Sequence, residues 1–179
     1  MAETAGSRLW LRRAAYLLLA VAIVFFQLLP LDTLPPRWAP PDLLMALSLA
    51  WAVRRPEYVP ALAIAAVFLL ADLLFQRPPG LLALLVVLAT EWLKSRARGL
   101  RDASFATEWA QVAGVLVALT LAYRLILAIL LVPQPPLGLS LIQMLMTLAV
   151  YPAVVAVSHL ALGVRKPAAG DLEGPGLRS

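Results

Sequence analysis

The residues able to do chemistry in this sequence are few, and most sit singly inside long apolar runs. Asp72 lies near the end of one run and Arg124 within another, and a third carries Ser140, Gln143, Thr147, Tyr151 and Ser158. On a helix turning about 100° per residue, those five fall within an arc of about 80°. Five aligned polar groups avoid lipid, so they line either a bundle interior or a polar cavity. A carboxylate at the depth of Asp72 can serve as a ligand or proton site, or as a hydrogen-bonded structural acid. The structural role is preferred, because no second acid accompanies it. Ala61, Ala65 and Phe68 share its face within about 40°, and small residues four apart admit a close neighbour, so Asp72 is expected to point at protein. Arg124 shares its face with Ala113, Val117 and Thr120. A guanidinium there needs a partner or water. Two readings stay open: an Asp72–Arg124 ion pair joining the third and fifth runs, or an Arg124 that snorkels outward or meets another protein.

Catalytic constellations are missing from the sequence. His159 is the only histidine, near the end of the last run and off the polar arc. There is no HExxH, no Ser–His dyad of defined spacing and no paired-carboxylate site. Glu91 and Glu108 lie at run edges among bases, where ion pairing is the ordinary role. Cysteine is absent, which removes disulfides, thiolate metal sites and a Cys nucleophile. No catalytic, cofactor or metal-ligating residue is assigned, and the chain is expected not to be an enzyme.

The elements carrying these residues read as membrane helices. Of 179 residues, 62% are hydrophobic and only 14% charged, and the apolar ones form six runs over 14–31, 41–53, 58–75, 80–93, 110–132 and 139–162. The second and fourth are short, so charge must decide whether they cross. Bases cluster at alternate gaps: Arg8, Arg12 and Arg13; Arg54 and Arg55; Lys94, Arg96, Arg98 and Arg101; Arg165, Lys166 and Arg178. The other gaps hold Arg37 and Arg77. Six crossings from a cytoplasmic N-terminus put twelve bases inside and two outside, whereas losing the second crossing leaves four inside and ten outside. The six-span topology is therefore expected, with local thinning or snorkelling of Arg54, Arg55, Lys94 and Arg96 helping the short spans. Trp10, Trp51, Trp92 and Trp109 fall at inner edges and Trp38 at an outer edge, as interfacial indoles do. Prolines 30, 35, 36, 40 and 41, then 78 and 79, then 133, 135 and 136, stop helices in the outer loops.

Further features refine this. The N-terminus resembles a signal peptide without a small-x-small cleavage site and is expected to remain as the first span. Ala110, Gly114, Ala118 and Ala122 form a small-residue seam off the Arg124 face, with packing inside the bundle as the expected use. Pro152 frees the Leu148 carbonyl and predicts a kink. The net charge of +5 is explained by orientation, and no basic patch with interleaved aromatics indicates nucleic acid. The expected class is all-α: a basic cytoplasmic N-terminus over 1–13, a six-helix transmembrane bundle over 14–164 and a disordered cytoplasmic tail over 165–179.

Several local sequences carry a family resemblance. Pro41-Asp42-Leu43-Leu44 opens the second run, and Arg54-Arg55-Pro56 leads into the third. Ala71-Asp72-Leu73-Leu74 closes the third, and Pro79-Gly80-Leu81 opens the fourth. Tyr151-Pro152 lies in the sixth, which ends at Gly163-Val164-Arg165-Lys166. With this layout the chain resembles the rod shape-determining MreD family over nearly its whole length, with an alphaproteobacterial flavour in 54–58 and 75–81. That resemblance implies a non-enzymatic scaffold of the cell-elongation (Rod) complex in the bacterial inner membrane, helping maintain rod shape and lateral peptidoglycan synthesis. It implies direct binding of MreC, and association at complex level with MreB, RodA and the elongation-specific penicillin-binding transpeptidase. Asp72 and Gly80 match the family's acid and glycine around the third-to-fourth turn, and Pro152 matches its proline in the last span. Together with Arg124, Gln143, Thr147 and Tyr151 they are structural or interface candidates. The family is also similar in layout to the six-helix substrate-binding subunits of ECF transporters, which supplies the alternative function, a small-molecule transporter subunit. Homo-oligomerisation stays open.

Overall fold

A computed structural model describes residues 2–29, 39–97, 99 and 104–164, with side chains from Gly6 onward except that of Leu162. Pro30, Pro35, Pro36, Arg37 and Trp38 of the first outer loop lie outside the described residues, as do Arg98, Arg101 and the tail 165–179 with Arg165, Lys166 and Arg178. The described residues form six α-helices, α1 (Ala2–Leu28), α2 (Leu43–Arg54), α3 (Ala61–Leu74), α4 (Leu81–Arg96), α5 (Phe105–Ile129) and α6 (Leu137–Leu162), with a 3-10 turn at Pro56–Tyr58 and no strand.

The helices divide by length. Within α1, α5 and α6, the stretches Gly6–Leu28, Phe105–Ile129 and Leu137–Ala161 are long and apolar enough to cross a membrane. Helices α2, α3 and α4 have 12, 14 and 16 residues. At about 1.5 Å per residue they rise only about 18, 21 and 24 Å, against roughly 30 Å of hydrocarbon. Three helices, not six, therefore meet the requirement by themselves. The third run, expected over 58–75, loses its first turn to proline. Arg55 precedes Pro56 and is steered away from helix, Pro56 opens the 3-10 turn, and Pro60 stands as the N-cap of α3.

Helix α2 is the centre of the bundle. Ten of its twelve residues are buried, and it packs against α1, α4, α6 and the 3-10 turn. A helix apolar on every face belongs in such a place, and one enclosed by protein need not match the bilayer by its own length. Its start is fixed by the Asp42 carboxylate, which accepts the Met45 N–H at 2.9 Å. Helices α3 and α4 form a hairpin across the turn from Phe75 to Gly80, with Gln76 and Gly80 both at positive φ.

Alternating direction brings the basic clusters to one end. Arg13 of α1 donates to the Glu57 carbonyl at 3.1 Å and Lys94 of α4 to the Val59 carbonyl at 2.6 Å, both in the α2–α3 connection. Arg54, at the end of α2, meets Glu108 at the start of α5. Gly163, after α6, lies beside Arg12, whose guanidinium is 3.8 Å from where a Cβ would stand. Arg77 and Arg124 belong to the opposite end, near the α3–α4 and α5–α6 turns.

The exterior is apolar and the interior holds the polar groups. Leu62, Leu131 and Leu160 are 84%, 89% and 82% exposed, while Ser48, Asp72, Thr90, Glu108, Thr147 and Ser158 are buried. This distribution is the reverse of a surface made for water, and it suits lipid surroundings.

Two helix ends test the backbone geometry. Leu131, at φ 55, closes α5 in a left-handed cap in which Val132 N–H donates to the Leu127 carbonyl at 3.0 Å. Leu131→Gly should therefore stabilise the protein by about 1 kcal/mol. Gly80→Ala should cost about 1–2 kcal/mol through its φ alone, because an added Cβ meets nothing within 4 Å. Denaturant unfolding in detergent micelles reads both changes, and equal stabilities for all three proteins would contradict these caps.

Candidate functional site

The polar arc of α6 is distributed along the buried helix α2 and into a cavity beyond it. Thr147 accepts the Asp42 N–H at 2.8 Å, satisfying a backbone donor at the start of α2, and passes its own hydroxyl hydrogen to the Gln143 carbonyl at 2.7 Å. Ser158 accepts the Trp51 indole N–H at 3.0 Å. Tyr151 donates to Glu108 at 2.9 Å. On the other side of α2, Tyr16 of α1 and Ser48 share a hydrogen bond of 2.9 Å, and Ser48 donates to the Leu44 carbonyl.

Glu108 is the most heavily committed of these groups. Arg54 reaches it with two nitrogens, Nε to Oε1 at 2.9 Å and Nη2 to Oε2 at 3.2 Å. The Glu108 side chain is fully buried and that of Arg54 is 13% exposed. Helices α2, α5 and α6 thus converge on one carboxylate. Glu91, the other edge acid, pairs with Lys94 at 2.7 Å, as expected.

Asp72 and Arg124 do not form the ion pair offered by the sequence. Asp72 turns its Oδ2 to the N–H groups of Gly80 and Ala83, at 3.1 and 3.3 Å, and so caps α4; its Oδ1 is buried without a hydrogen-bond partner. The hairpin brings the start of α4 back to the last turn of α3, and two backbone donors left open at that helix start satisfy one oxygen of the buried carboxylate. Gly80 supplies one of those donors and, at φ 85, the left-handed residue ahead of α4. Arg124 instead faces α6, where its Nη1 donates to the Pro135 carbonyl at 3.1 Å and to Ser140 Oγ at 2.6 Å. Both groups point at protein.

Arg124 lines a cavity of about 320 Å³ at the end of the bundle opposite the basic clusters, together with Asp42, Arg77, Tyr123, Ser140 and Gln143. The arc therefore does both things expected of it: Tyr151 and Ser158 tie the interior, and Ser140, Gln143 and Thr147 line a polar cavity. Pro152 is inside α6, and the Leu148 carbonyl it frees is taken by the indole N–H of Trp109 at 3.1 Å. Trp109 is thus a hydrogen-bonding partner of α6 rather than only an interfacial indole. Trp51, also expected at an interface, is fully buried beside Tyr16, because α2 lies inside the bundle. Trp92 remains 43% exposed with the Arg96 guanidinium over its ring at 4.2 Å.

The small-residue seam departs from its expected use. Gly114 and Ala118 are exposed rather than packed inside. With Leu85, Ala89 and Trp92 of α4 and Gln111 of α5 they border a groove of about 490 Å³ between the two helices. Gln111 Oε1 is buried there without a hydrogen-bond partner.

Sequence reasoning placed Glu108 among bases but missed its contact with Tyr151. A signal for it existed: Tyr151 belongs to the inward arc, and an inward phenol needs an acceptor. Among the described residues, no three His, Asp or Glu side chains gather as metal ligands would. The chain matches no family model, no curated protein and no solved structure in comparisons with known proteins.

Two mutant sets test this network. Glu108→Ala strands a mostly buried guanidinium and should destabilise by about 3 kcal/mol or more, whereas Arg54→Met/Glu108→Leu should recover most of that loss. If the double variant is as unstable as the single, the pair is not the cause. Trp109→Phe should cost about 1 kcal/mol in the native chain but close to nothing in a Pro152→Ala background, where the residue 152 amide can take the Leu148 carbonyl. Additive effects in that double-mutant cycle would remove Trp109 from the role.

Proposed function

We propose that the protein is a non-enzymatic membrane scaffold of the MreD kind, docking the single transmembrane helix of MreC within the bacterial cell-elongation complex. The observation that carries this reading is the open groove between α4 and α5. Gly114 and Ala118 leave its floor without bulk, and close backbone approach over small residues is how helices associate where lipid offers no hydrophobic drive. The unpartnered Gln111 Oε1 asks for a hydroxyl or amide donor from whatever fills the groove. The occupant this chemistry fits is one apolar helix with small residues and one such donor. In this reading all six helices cross the inner membrane, with α2 shielded by its neighbours, and the basic end faces the cytoplasm. Arg12, Arg13, Arg54, Arg55, Lys94 and Arg96 support that orientation. Association with MreB, RodA and the elongation-specific transpeptidase would follow at the level of the assembled complex.

A second reading, a substrate-binding subunit of an ECF-type transporter, is favoured by one observation, the polar cavity at the far end of the bundle. It would require an energising ATPase partner.

Gly114 makes a clean test, because a Cβ built there meets no atom within 4 Å. Gly114→Leu combined with Ala118→Leu should fill the groove, leave folding intact and reduce co-purification of MreC by about tenfold or more, the equivalent of ~1.4 kcal/mol. Cells carrying that variant should widen and round up. Wild-type recovery of MreC with the groove filled, or normal cell width after depletion of the protein, would refute the scaffold reading. Recovery of an ATPase in place of MreC would favour the transporter subunit.

A further inference from the structure

The cavity at the α3–α4 and α5–α6 turns is rich in hydrogen-bond donors that nothing in the protein satisfies. The guanidinium of Arg77, the hydroxyl of Tyr123 and the side-chain amide of Gln143 border it with no hydrogen-bond partner among the described residues. Arg124 adds the nitrogens it does not use on Pro135 and Ser140. Several polar groups nearby are already engaged. Asp42 accepts from Met45, Ser140 accepts from Arg124, and the hydroxyls of Thr120 and Thr147 donate to backbone carbonyls. Unpaired donors converging on this half-open cavity favour a ligand with several acceptor oxygens and negative charge.

Charge narrows the class. Two guanidinium groups line the cavity with one carboxylate, Asp42, and the Asp72 carboxylate lies close enough behind the wall to act on Arg77 and Tyr123. With both carboxylates already drawing on these cations, a second negative charge on the ligand would go unanswered, which favours a monoanion over a dianion. Size narrows it further. About 320 Å³ holds roughly ten water-sized groups at ~30 Å³ each, enough for a phosphodiester with its glycerol and too little for a whole phospholipid. The rest of the wall is apolar, with Leu116, Leu127 and Met144 among its members. Next to the cavity, Leu130, Leu131 and Leu137 are exposed, a surface on which acyl chains can lie.

We infer that this cavity is a binding site for a phosphodiester monoanion, with Arg77 and Arg124 on its charged oxygens and Tyr123 and Gln143 completing the shell. Phosphatidylglycerol supplies that group from the membrane, and glycerophosphoglycerol supplies it as a free solute. The site and the helix-docking groove flank α5 on two sides and share Leu119 between them, and none of the polar groups of the site borders the groove.

Native mass spectrometry of the full chain, titrated separately with phosphatidylglycerol, phosphatidylcholine and glycerophosphoglycerol, tests the inference. Phosphatidylglycerol should be retained in preference to the zwitterionic lipid. Losing one charge-assisted bond should weaken its binding about tenfold in Arg77→Gln, with smaller losses in Tyr123→Phe and Gln143→Leu and none in Arg96→Gln at the basic end. Those last variants keep the test decisive should Arg77→Gln fold poorly. Competition by glycerophosphoglycerol would make the free phosphodiester a ligand in its own right. Absence of competition alongside retained lipid would make the lipid the source. Equal retention of the two lipids, or undiminished phosphatidylglycerol binding in the three cavity variants, would overturn the proposal.

Discussion

The contact on which the arrangement depends is the Arg54–Glu108 pair. A carboxylate with no exposure is tolerable only where opposite charge and hydrogen bonds replace water, and here two Arg54 nitrogens and the Tyr151 hydroxyl do so. Those three residues belong to three helices. Satisfying one charge therefore fixes where α2 ends, where α5 begins and how α6 is rotated. An alternative packing that separated any two of the three would leave a buried charge without its full shell. Ion pairs of this kind add little net stability over an apolar core, but they penalise wrong arrangements heavily.

With that end fixed, the rest of α2 follows. Its remaining polar groups point at neighbours that can answer them: Ser48 at Tyr16, Trp51 at Ser158, and the Asp42 amide at Thr147. The helix is too short to cross a bilayer unaided, and it is enclosed rather than stretched. The same logic closes the α3–α4 hairpin, where Asp72 answers the open amides at the start of α4. In an apolar exterior, each polar group has to find its partner inside the protein, and the described hydrogen bonds are mostly of this kind.

Much of this was legible in the chain. Pro136, expected to stop helices in an outer loop, stands directly before α6, whereas Pro60, placed inside the expected third run, is the N-cap of α3, and the angular arithmetic of α6 identified the inward face before any partner was known. The freed carbonyl of Leu148 was also foreseeable, although Trp109 as the donor that takes it was not, because a contact between residues 39 apart has no local signature. The Asp72–Arg124 pairing failed for a similar reason. Depth along a helix says that two charges share a level, not that they share a face, and a backbone amide is an invisible competitor in a sequence. The burial of α2 did leave a trace, since a helix apolar all round has no face meant for lipid alone. A small-residue seam reads the same whether its neighbour is inside the fold or absent from it, so the outward direction of Gly114 and Ala118 could come only from the structure.

Helix α5 joins these observations. It is held at its start by the Ser104 cap, by Glu108 and by Trp109, and near its end by Arg124. Between those anchors it packs against α4 and α6 without filling the space on either flank. Leu119 borders both the polar cavity and the apolar groove. One side of the helix meets unsatisfied donors and the other meets small residues, so the two spaces select different chemistry, anionic oxygen on one flank and a close-packed helix on the other. Because the anchors lie at the ends, either space can be altered by substitution in the middle of α5 without touching the interactions that hold the helix in place. The two surfaces are therefore separable by mutation even though they share a wall.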